Sequence, residues 1–466
     1  MPEAFRLRWK LDQPLLLAGR SEEVHALLTI EPTTSVLTTA GRALPAHLLV
    51  LVDVSGSMDY LMRHDPRATT LGKHLAEGEP ALSVASDVPS RREVAVDVIR
   101  RLIGSLRADD RLTLVAFDGR PFLLGSSLSS NDRAELEAAV TQLAHIGGGD
   151  TVAASALAMV RNQLAAVPER GRACKVLLLT DGLDDEPERL KTEVAALSKD
   201  QGVPLAAFGM GECKVAFLAE LARSTLAGSF HHVRDDNDAQ QLFQQAVQGQ
   251  KNVVATNAVL KLWLSPDMHV RDLYRTRPEI LYVGDAEPNA ANVVELPLEQ
   301  LERGKAYEFL FRCLVPQRPA GQRFRLAKAT LVYDVPALER SGETVETNIV
   351  VEYTDSEEQA RQRSGDVRRV LARAEVQRQV LFLQTKIDLL QQQGKAAATD
   401  RSVVAKLLEV LVRKLDELGD TAAANLYRKL QAEFLQSGTI SQEMLNRSLA
   451  ASSRAEEVVV AQDIDF

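Results

Sequence analysis

Three short segments of the chain carry oxygen-bearing side chains beside glycine. Residues 53–57 (DVSGS) place one carboxylate and two hydroxyls at alternating positions, in a turn that leaves an apolar strand. Residues 147–151 (GGGDT) open a predicted helix, and residues 180–182 (TDG) close a second apolar strand. We expect five side chains to converge at one edge of a sheet: Asp53, Ser55, Ser57, Thr151 and Asp181.

The elements that must position these segments form an alternating pattern within residues 46–250. Apolar strand-like runs alternate there with helical periodicity, which predicts a doubly wound α/β domain with a mostly parallel sheet. The predicted strands are 47–53, 111–118, 174–181, 203–208 and 229–233. The predicted helices are 93–106, 133–144, 151–166, 188–199, 215–224 and 239–248. Because open α/β sheets bind ligands at the carboxyl ends of their strands, a site is expected where the three segments meet.

The rest of the chain divides into regions with different patterns. Short period-2 stretches broken by proline and glycine predict an antiparallel β-sandwich at 251–354. The strand-like segments of residues 1–45 are expected to join this sandwich. Apolar residues recur every three or four positions between 355 and 452, which predicts a C-terminal helical bundle. Residues 453–466 are predicted to be a loose tail.

Composition excludes several classes of function. The 466 residues are 45% hydrophobic and 26% charged, as in globular proteins of two or three domains. The net charge of −9 is spread along the chain and disfavours nucleic-acid binding. No apolar run approaches the roughly 20 residues of a membrane span and no secretory signal is seen, so a cytoplasmic protein is expected. The widely spaced Cys174, Cys213 and Cys313 predict buried thiols.

Three sequence blocks carry a resemblance to a known family. HLLVLVDVSGSM, GGGDTVAASAL and KVLLLTDG resemble the blocks of a von Willebrand factor type A domain with an intact metal-ion-dependent adhesion site. The resemblance implies a Rossmann-like α/β fold. One position departs from the family pattern, Ala154 in place of glycine, and its predicted helical setting tolerates alanine. The resemblance also implies five metal-binding residues: Asp53, Ser55 and Ser57 in the first loop, Thr151 in the second and Asp181 in the third.

The chemistry that the resemblance implies is the binding of Mg²⁺, for which Mn²⁺ or Ca²⁺ could substitute. Mg²⁺ is small and hard, prefers oxygen ligands and keeps several waters, whereas cysteine or histidine would select another metal. An ion held mostly by neutral hydroxyls and water keeps much of its positive charge. Such an ion can take a carboxylate from an Asp or Glu of a partner protein, so we expect a protein–protein interaction scaffold rather than an enzyme.

Two other functions stay open on the sequence alone. A Mg²⁺-dependent phosphoester hydrolase of the haloacid dehalogenase type would need a second carboxylate at position 55, where Ser55 cannot transfer protons in that role. A structural subunit with a non-functional metal site would use the same polar residues only to cap turns. The acidic run at 184–187 (DDEP) is interpreted as the N-terminus of the helix that follows it.

The order of the regions resembles bacterial type A proteins that are loosely described as calcium-activated chloride-channel-like or inter-alpha-trypsin-inhibitor-like. Some proteins of this kind work beside MoxR-type AAA+ ATPases or with signalling kinases and phosphatases, which are therefore candidate partners. Residues 59–90 form an insert that must emerge beside the metal and is predicted to select the partner. Asp463 and Asp465 in the tail could offer a carboxylate to a second molecule, so self-association is a further hypothesis.

Overall fold

Three structural regions make up the described chain: an α/β domain, a β-sandwich built from strands before and after it, and a set of C-terminal helices. The computed structural model describes residues 3–33, 44–62, 88–166, 171–182, 184–392, 398–438, 440 and 442–452. The predicted fold class is confirmed. Most of the 59–90 insert, residues 63–87, and the tail at 453–466 lie outside the described residues.

A largely parallel sheet forms the centre of the α/β domain. Its strands are β4 (Ala46–Asp53), β5 (Arg111–Phe117), β6 (Pro121–Leu128), β7 (Ala173–Thr180), β8 (Leu205–Met210) and β9 (Ser229–Val233). They lie in the order β6-β5-β4-β7-β8-β9. β4 and β7 are buried along their whole length, as expected for strands covered on both faces. The sequence pattern does not predict β6, because this antiparallel edge strand is half-exposed and lacks a buried apolar run.

Helices cover both faces of this sheet. Their bounds are α1 (Arg91–Ser105), α2 (Arg133–Leu143), α3 (Ala153–Ala166), α4 (Pro187–Gln201), α5 (Val215–Arg223) and α6 (Asp236–Lys251). α1, α2 and α6 bury one apolar cluster against the sheet, and α3 and α4 bury a second cluster on the opposite face. A capping box starts α1, since the Ser90 hydroxyl accepts from the N–H of Glu93 and the Glu93 carboxylate accepts from the N–H of Ser90.

The strand register brings two of the three candidate loops to one edge. β4 pairs in parallel with β5, where Asp53 lies opposite Phe117, and with β7, where Val52 lies opposite Leu179. Asp53 and Thr180 therefore end neighbouring strands. This carboxyl edge of the sheet is where ligands bind in open α/β folds.

The β-sandwich combines strands from before and after the α/β domain. Its strands are β1 (Phe5–Leu11), β2 (Leu15–Leu17), β3 (Glu22–Pro32), β10 (Val253–Leu264), β11 (His269–Arg277), β12 (Leu281–Asp285), β13 (Val293–Glu302), β14 (Tyr307–Val315), β15 (Arg323–Val335) and β16 (Arg340–Thr354). One sheet has the order β1-β3-β14-β11-β12 and the other has the order β13-β10-β15-β16-β2. A shared apolar core lies between them, because inward-facing residues alternate along strands such as β10.

Helices form the C-terminal region. Their bounds are α7 (Glu357–Ala360), α8 (Gly365–Gln392), α9 (Ala398–Glu417), α10 (Thr421–Ser437) and α11 (Gln442–Ser452). An apolar cluster that includes Val380, Leu408 and Tyr427 joins α8 to α11. The first half of α8 packs on the β-sandwich through Val367 and Ala374. Within the described ranges, no helix is both long enough and apolar enough to cross a bilayer.

Candidate metal centre

The first loop follows β4 and brings its polar side chains together. Asp53 is fully buried, and its Oδ1 accepts a 2.9 Å hydrogen bond from the backbone N–H of Ser55. The hydroxyls of Ser55 and Ser57 lie 3.2 Å apart. A short 3₁₀ helix, Gly56–Asp59, then turns the chain away from the sheet. The alternating spacing of the motif therefore places a carboxylate and two hydroxyls in one turn.

The third loop is joined to the first by a direct hydrogen bond. The hydroxyl of Thr180 donates to Asp53 Oδ2 over 2.7 Å and accepts a 3.0 Å bond from the N–H of Gly182. Asp181 is also fully buried, and its Oδ2 accepts a 2.7 Å bond from Nη1 of Arg91. Two buried carboxylates, one from each loop, therefore lie close enough at this edge for their charges to interact.

Backbone contacts hold the second loop beside the first. The N–H of Gly148 donates to the carbonyl oxygen of Val54 over 2.9 Å. Gly147 has a φ of +103°, and a Cβ at this position would lie only 2.1 Å from the same oxygen. A side chain would therefore prevent the close approach of the two loops. Thr151 is buried at the end of this second loop, two residues before Ala153 begins α3.

Two acidic side chains fix Thr151 and the start of α3. The N–H of Thr151 donates to Asp185 Oδ2 over 2.8 Å, and the N–H of Ala153 donates to Asp184 Oδ2 over 2.9 Å. The sequence interpretation of the acidic run is therefore incomplete. These residues precede α4, but their carboxylates bind the N-terminus of α3, where a negative charge complements the helix dipole. They connect the third loop to the second.

Burial determines the electrostatics of the first loop. Loss of hydration raises the pKa of Asp53 to about 6, and the nearby charge of Asp181 acts in the same direction. The hydrogen bonds from Ser55 and Thr180 oppose this rise because they stabilise the charged carboxylate. A pair of buried carboxylates is costly without a compensating positive charge, and Arg91 supplies such a charge to Asp181.

The donor set of the three loops fits a small, hard divalent cation. Ser57 is only partly buried and Gly56 is exposed, so one side of the first loop is accessible to a ligand. Among the described residues, no group of three or more His, Cys, Asp or Glu is placed to hold a metal. The candidate set is of another kind, because three of its five side chains are hydroxyls. Five side chains would supply the carboxylate and hydroxyl oxygens that Mg²⁺ prefers: Asp53, Ser55, Ser57, Thr151 and Asp181.

Sequence reasoning missed two arginines that contact the loops. Arg91 binds Asp181, and Arg92 donates to the carbonyl oxygen of Val54 over 2.9 Å and to a carbonyl just before the second loop. The helix of these arginines was expected to begin at residue 93. The capping box of Ser90 and Glu93 is the local signal that could have placed both arginines in its first turn.

The base of the insert lies beside the first loop. Leu61 pairs with Ser90 in an isolated antiparallel bridge, and the N–H of Met62 donates to the carbonyl oxygen of Pro89 over 3.0 Å. Tyr60 follows the first loop directly, and its side chain is 58% exposed. The insert therefore starts and ends next to the candidate metal centre.

Two of the three cysteines lie where the sequence predicts, and a histidine of β9 packs against an aromatic ring. Cys174 and Cys313 are buried, but Cys213 is partly exposed, which corrects the expectation of three buried thiols. His231 stacks on Phe208 with ring centroids 4.9 Å apart. Burial lowers the pKa of His231 to about 4, so this histidine is a neutral packing residue.

A family model matches the α/β domain. Residues 83–245 match the model of the von Willebrand factor type A domain. The matched range includes Thr151 and Asp181, whereas the first loop with Asp53 precedes it.

Two solved structures share the fold over nearly the whole chain. The von Willebrand factor type A structure from Catenulispora acidiphila has a TM-score of 0.73 at 18% identity, covering 97% of this chain and 97% of that chain. The ArnB paralog VWA2 from Sulfolobus acidocaldarius has a TM-score of 0.60 at 15% identity, covering 97% of this chain and 98% of that one. At identities this low, the structural similarity shows a shared fold and no more.

One relative is similar in sequence over most of its length. An uncharacterized protein of Synechocystis sp. is 25% identical over 376 residues, which are 80% of this chain and 79% of the relative. The region from β4 to α6 has the fold of a von Willebrand factor type A domain, and residues 83–245 within it match the model of that family.

Proposed function

We propose that this protein is a metal-dependent interaction scaffold whose type A domain binds Mg²⁺ and, through the ion, an Asp or Glu side chain of a partner protein. Von Willebrand factor type A domains are commonly protein-interaction modules. The observation that carries the proposal is the pair of buried carboxylates, Asp53 and Asp181, beside the hydroxyls of Ser55 and Ser57 at the accessible edge of the sheet.

The residue types determine what such an ion would do. Two carboxylates can balance a divalent charge, but they are already engaged: Asp53 with Ser55 and Thr180, and Asp181 with Arg91. Hydroxyl oxygens and water would complete much of the remaining coordination, and these ligands are neutral. The ion would keep an affinity for a further anionic oxygen, which a carboxylate on a partner supplies.

A hydrolytic function has no supporting contact at this site. Ser55 stands where a phosphatase of the haloacid dehalogenase type would need a proton-transferring carboxylate, and its hydroxyl lies against that of Ser57. We therefore propose binding without catalysis. Direct contact with a partner carboxylate then becomes the property to test.

Isothermal titration of the full chain with Mg²⁺ and Mn²⁺ tests the metal. Wild type is expected to bind one ion, and Ser55→Ala is expected to weaken that binding about tenfold or more, since one direct ligand is lost. Ser155→Ala is the matched control, because the Ser155 hydroxyl donates to the carbonyl oxygen of Val152, just before α3, and is not in the predicted ligand set. Equal affinities for the two variants, or no binding by wild type, would contradict the proposal.

Acetate tests the carboxylate step with a defined probe. Bound Mn²⁺ enhances water-proton relaxation through its inner-sphere waters. Acetate is expected to reduce that enhancement in a saturable way, because it displaces one of those waters. Propionamide, which is of similar size but uncharged, should leave the signal unchanged. A site that binds Mn²⁺ but does not distinguish the two probes would limit the metal to a structural role.

A further inference from the structure

Arg91 is a buried cation at a position that disfavours positive charge. It is the first residue of α1, directly after the cap residue Ser90. A positive side chain at a helix N-terminus is unfavourable because it opposes the helix dipole. The Arg91 side chain is nevertheless only 9% exposed. A buried arginine in this place needs an anion, and Asp181 supplies it.

Arg91 links two loops of the candidate metal centre. Its Nη1 donates to Asp181 Oδ2 over 2.7 Å and to the carbonyl oxygen of Ser57 over 3.3 Å. The ring of Tyr60 lies 6.0 Å from the guanidinium carbon. The Nε atom is buried and has no hydrogen-bond partner within the part of the chain that the structure describes. The charge of Arg91 is therefore directed at the same carboxylate that the metal would use.

The fold keeps space for this guanidinium. Gly211, which follows β8, has a φ of +60°, and a Cβ at this position would lie 2.9 Å from Nε of Arg91 and 3.6 Å from its Cζ. A side chain at residue 211 would therefore push the guanidinium away from Asp181. The position of the positive charge depends on a loop that is remote from α1 in sequence.

We propose that Arg91 is a built-in monovalent cation of this site, which holds the Asp181 carboxylate in place without metal and competes with the divalent ion for it. The inference rests on the proposed function. Asp53, Asp181 and Arg91 carry a formal charge of −1 together, and a divalent ion changes that charge to +1. Without Arg91 the loaded site would be neutral.

Two opposite consequences follow from this charge count. The positive charge of Arg91 repels a divalent ion that would bind the same Asp181 carboxylate, so it weakens metal binding. The same charge adds to the attraction that the loaded site exerts on a partner carboxylate, so it strengthens partner binding. Metal loading then changes the summed charge of Asp53, Asp181 and Arg91 from −1 to +1, which favours the binding of an anion to the loaded site.

Arg91→Met separates these two effects. We expect the variant to bind Mg²⁺ about tenfold more tightly in isothermal titration, and to bind acetate at least about threefold more weakly once loaded with Mn²⁺. Arg91→Lys, which keeps the charge, should stay within about threefold of wild type in both measurements. Arg101→Met is the matched control, because it removes the same charge from the same helix. Arg101 is 53% exposed and pairs with Asp97.

The outcomes distinguish this inference from the proposed function. If wild type binds Mg²⁺ and Arg91→Met binds it equally or less tightly, Arg91 does not compete with the ion, and the proposed function stands. If only Arg91→Met binds Mg²⁺, the proposed function fails for the natural chain and the competition by Arg91 stands. No binding by either protein overturns both.

A folding defect in Arg91→Met does not leave the question open. Recovery of its circular dichroism by Mg²⁺ would support the inference, since the divalent ion would then replace the missing cation. Arg91→Gln keeps a donor for Asp181 without the charge, and its Mg²⁺ affinity should also exceed that of wild type. An affinity equal to that of wild type would overturn the inference.

Discussion

Buried carboxylates lie at both edges of the central sheet, and the two edges satisfy them differently. At the carboxyl edge, Asp53 and Asp181 contact hydroxyls and one arginine beside a partly exposed loop. At the amino edge, Glu299 of β13 enters from the β-sandwich and is 1% exposed. Its carboxylate accepts three hydrogen bonds from the α/β domain, at 2.5, 3.1 and 2.7 Å: from the Ser198 hydroxyl and the N–H groups of Leu226 and Ala227.

The difference separates a joint between domains from the proposed binding site. Every donor to Glu299 comes from the protein, and the buried Arg275 adds a positive charge and donates to the carbonyl oxygen of Leu226. The neighbouring Gln300 donates to the carbonyl oxygen of Cys174 over 2.5 Å and extends this joint. A buried group whose partners are all internal holds domains together, whereas hydroxyls at an accessible edge can still accept a ligand.

Glu299→Ala should produce the largest effect on stability. The substitution leaves one hydroxyl and two N–H groups buried without their acceptor, and it removes a negative charge close to Arg275. We expect the free energy of unfolding in urea to fall by about 3–5 kcal/mol. Glu295→Ala, which removes an exposed carboxylate of the same strand paired with Lys261, should cost less than about 1 kcal/mol. Equal losses would remove the distinction drawn between the two edges.

Local patterns were sufficient to predict five of the six strands of the central sheet and the positions of the three loops in the sequence. β4 and β7 are long apolar runs that end in polar residues, so both the strands and the edge that carries Asp53 and Asp181 could be predicted from neighbouring residues. The edge strand β6 could not, because its half-exposed residues give no such run. Fold class followed from the alternation of strand and helix patterns, which is also a local property.

The contacts that complete each edge could not be predicted in the same way. Arg91 and Asp181 are 90 positions apart, and Glu299 meets the N–H of Leu226 across 73 positions. No periodicity couples residues so far apart, since their proximity depends on how the helices and the sandwich pack on the sheet. Single charged residues on a helix or strand are most often solvated, so neither Arg91 nor Glu299 differs from its neighbours in the sequence alone.

The pH dependence of stability should sharpen the comparison at the amino edge. Burial raises the pKa of Glu299 from 4.5 to about 7. The three hydrogen-bond donors and Arg275 favour the charged carboxylate and oppose this rise. Between these two values the folded state binds more protons than the unfolded state, so this group lowers stability as pH rises from about 4.5 to about 7. The loss is on the order of 2–3 kcal/mol.

Glu299→Gln isolates this contribution because glutamine does not titrate. Urea unfolding of wild type and variant at pH 5, 6, 7 and 8 should show the variant gaining stability relative to wild type as pH rises. Asp53, whose pKa is also raised, is present in both proteins and cancels in the difference. A difference that stays constant over this range would show that Glu299 is charged throughout and is held only by its donors.

Asp53→Asn should produce the smallest effect on stability and thereby test the other half of the comparison. Asparagine is nearly isosteric: its carbonyl oxygen can accept from the N–H of Ser55, and its amide can donate to the Thr180 hydroxyl. The substitution also removes a charge that burial disfavours, because burial raises the pKa of Asp53 to about 6. In EDTA we therefore expect the free energy of unfolding to change by less than about 1 kcal/mol.

In Mg²⁺ the stabilisation that wild type gains should disappear in Asp53→Asn. The control Asp150→Asn, which removes an exposed charge from the second loop, should retain that stabilisation. Thermal melts with and without Mg²⁺ measure both quantities. A loss of several kcal/mol in EDTA would place Asp53 with Glu299 among the groups that hold the fold together, and the carboxyl edge would then be a second joint rather than a binding site.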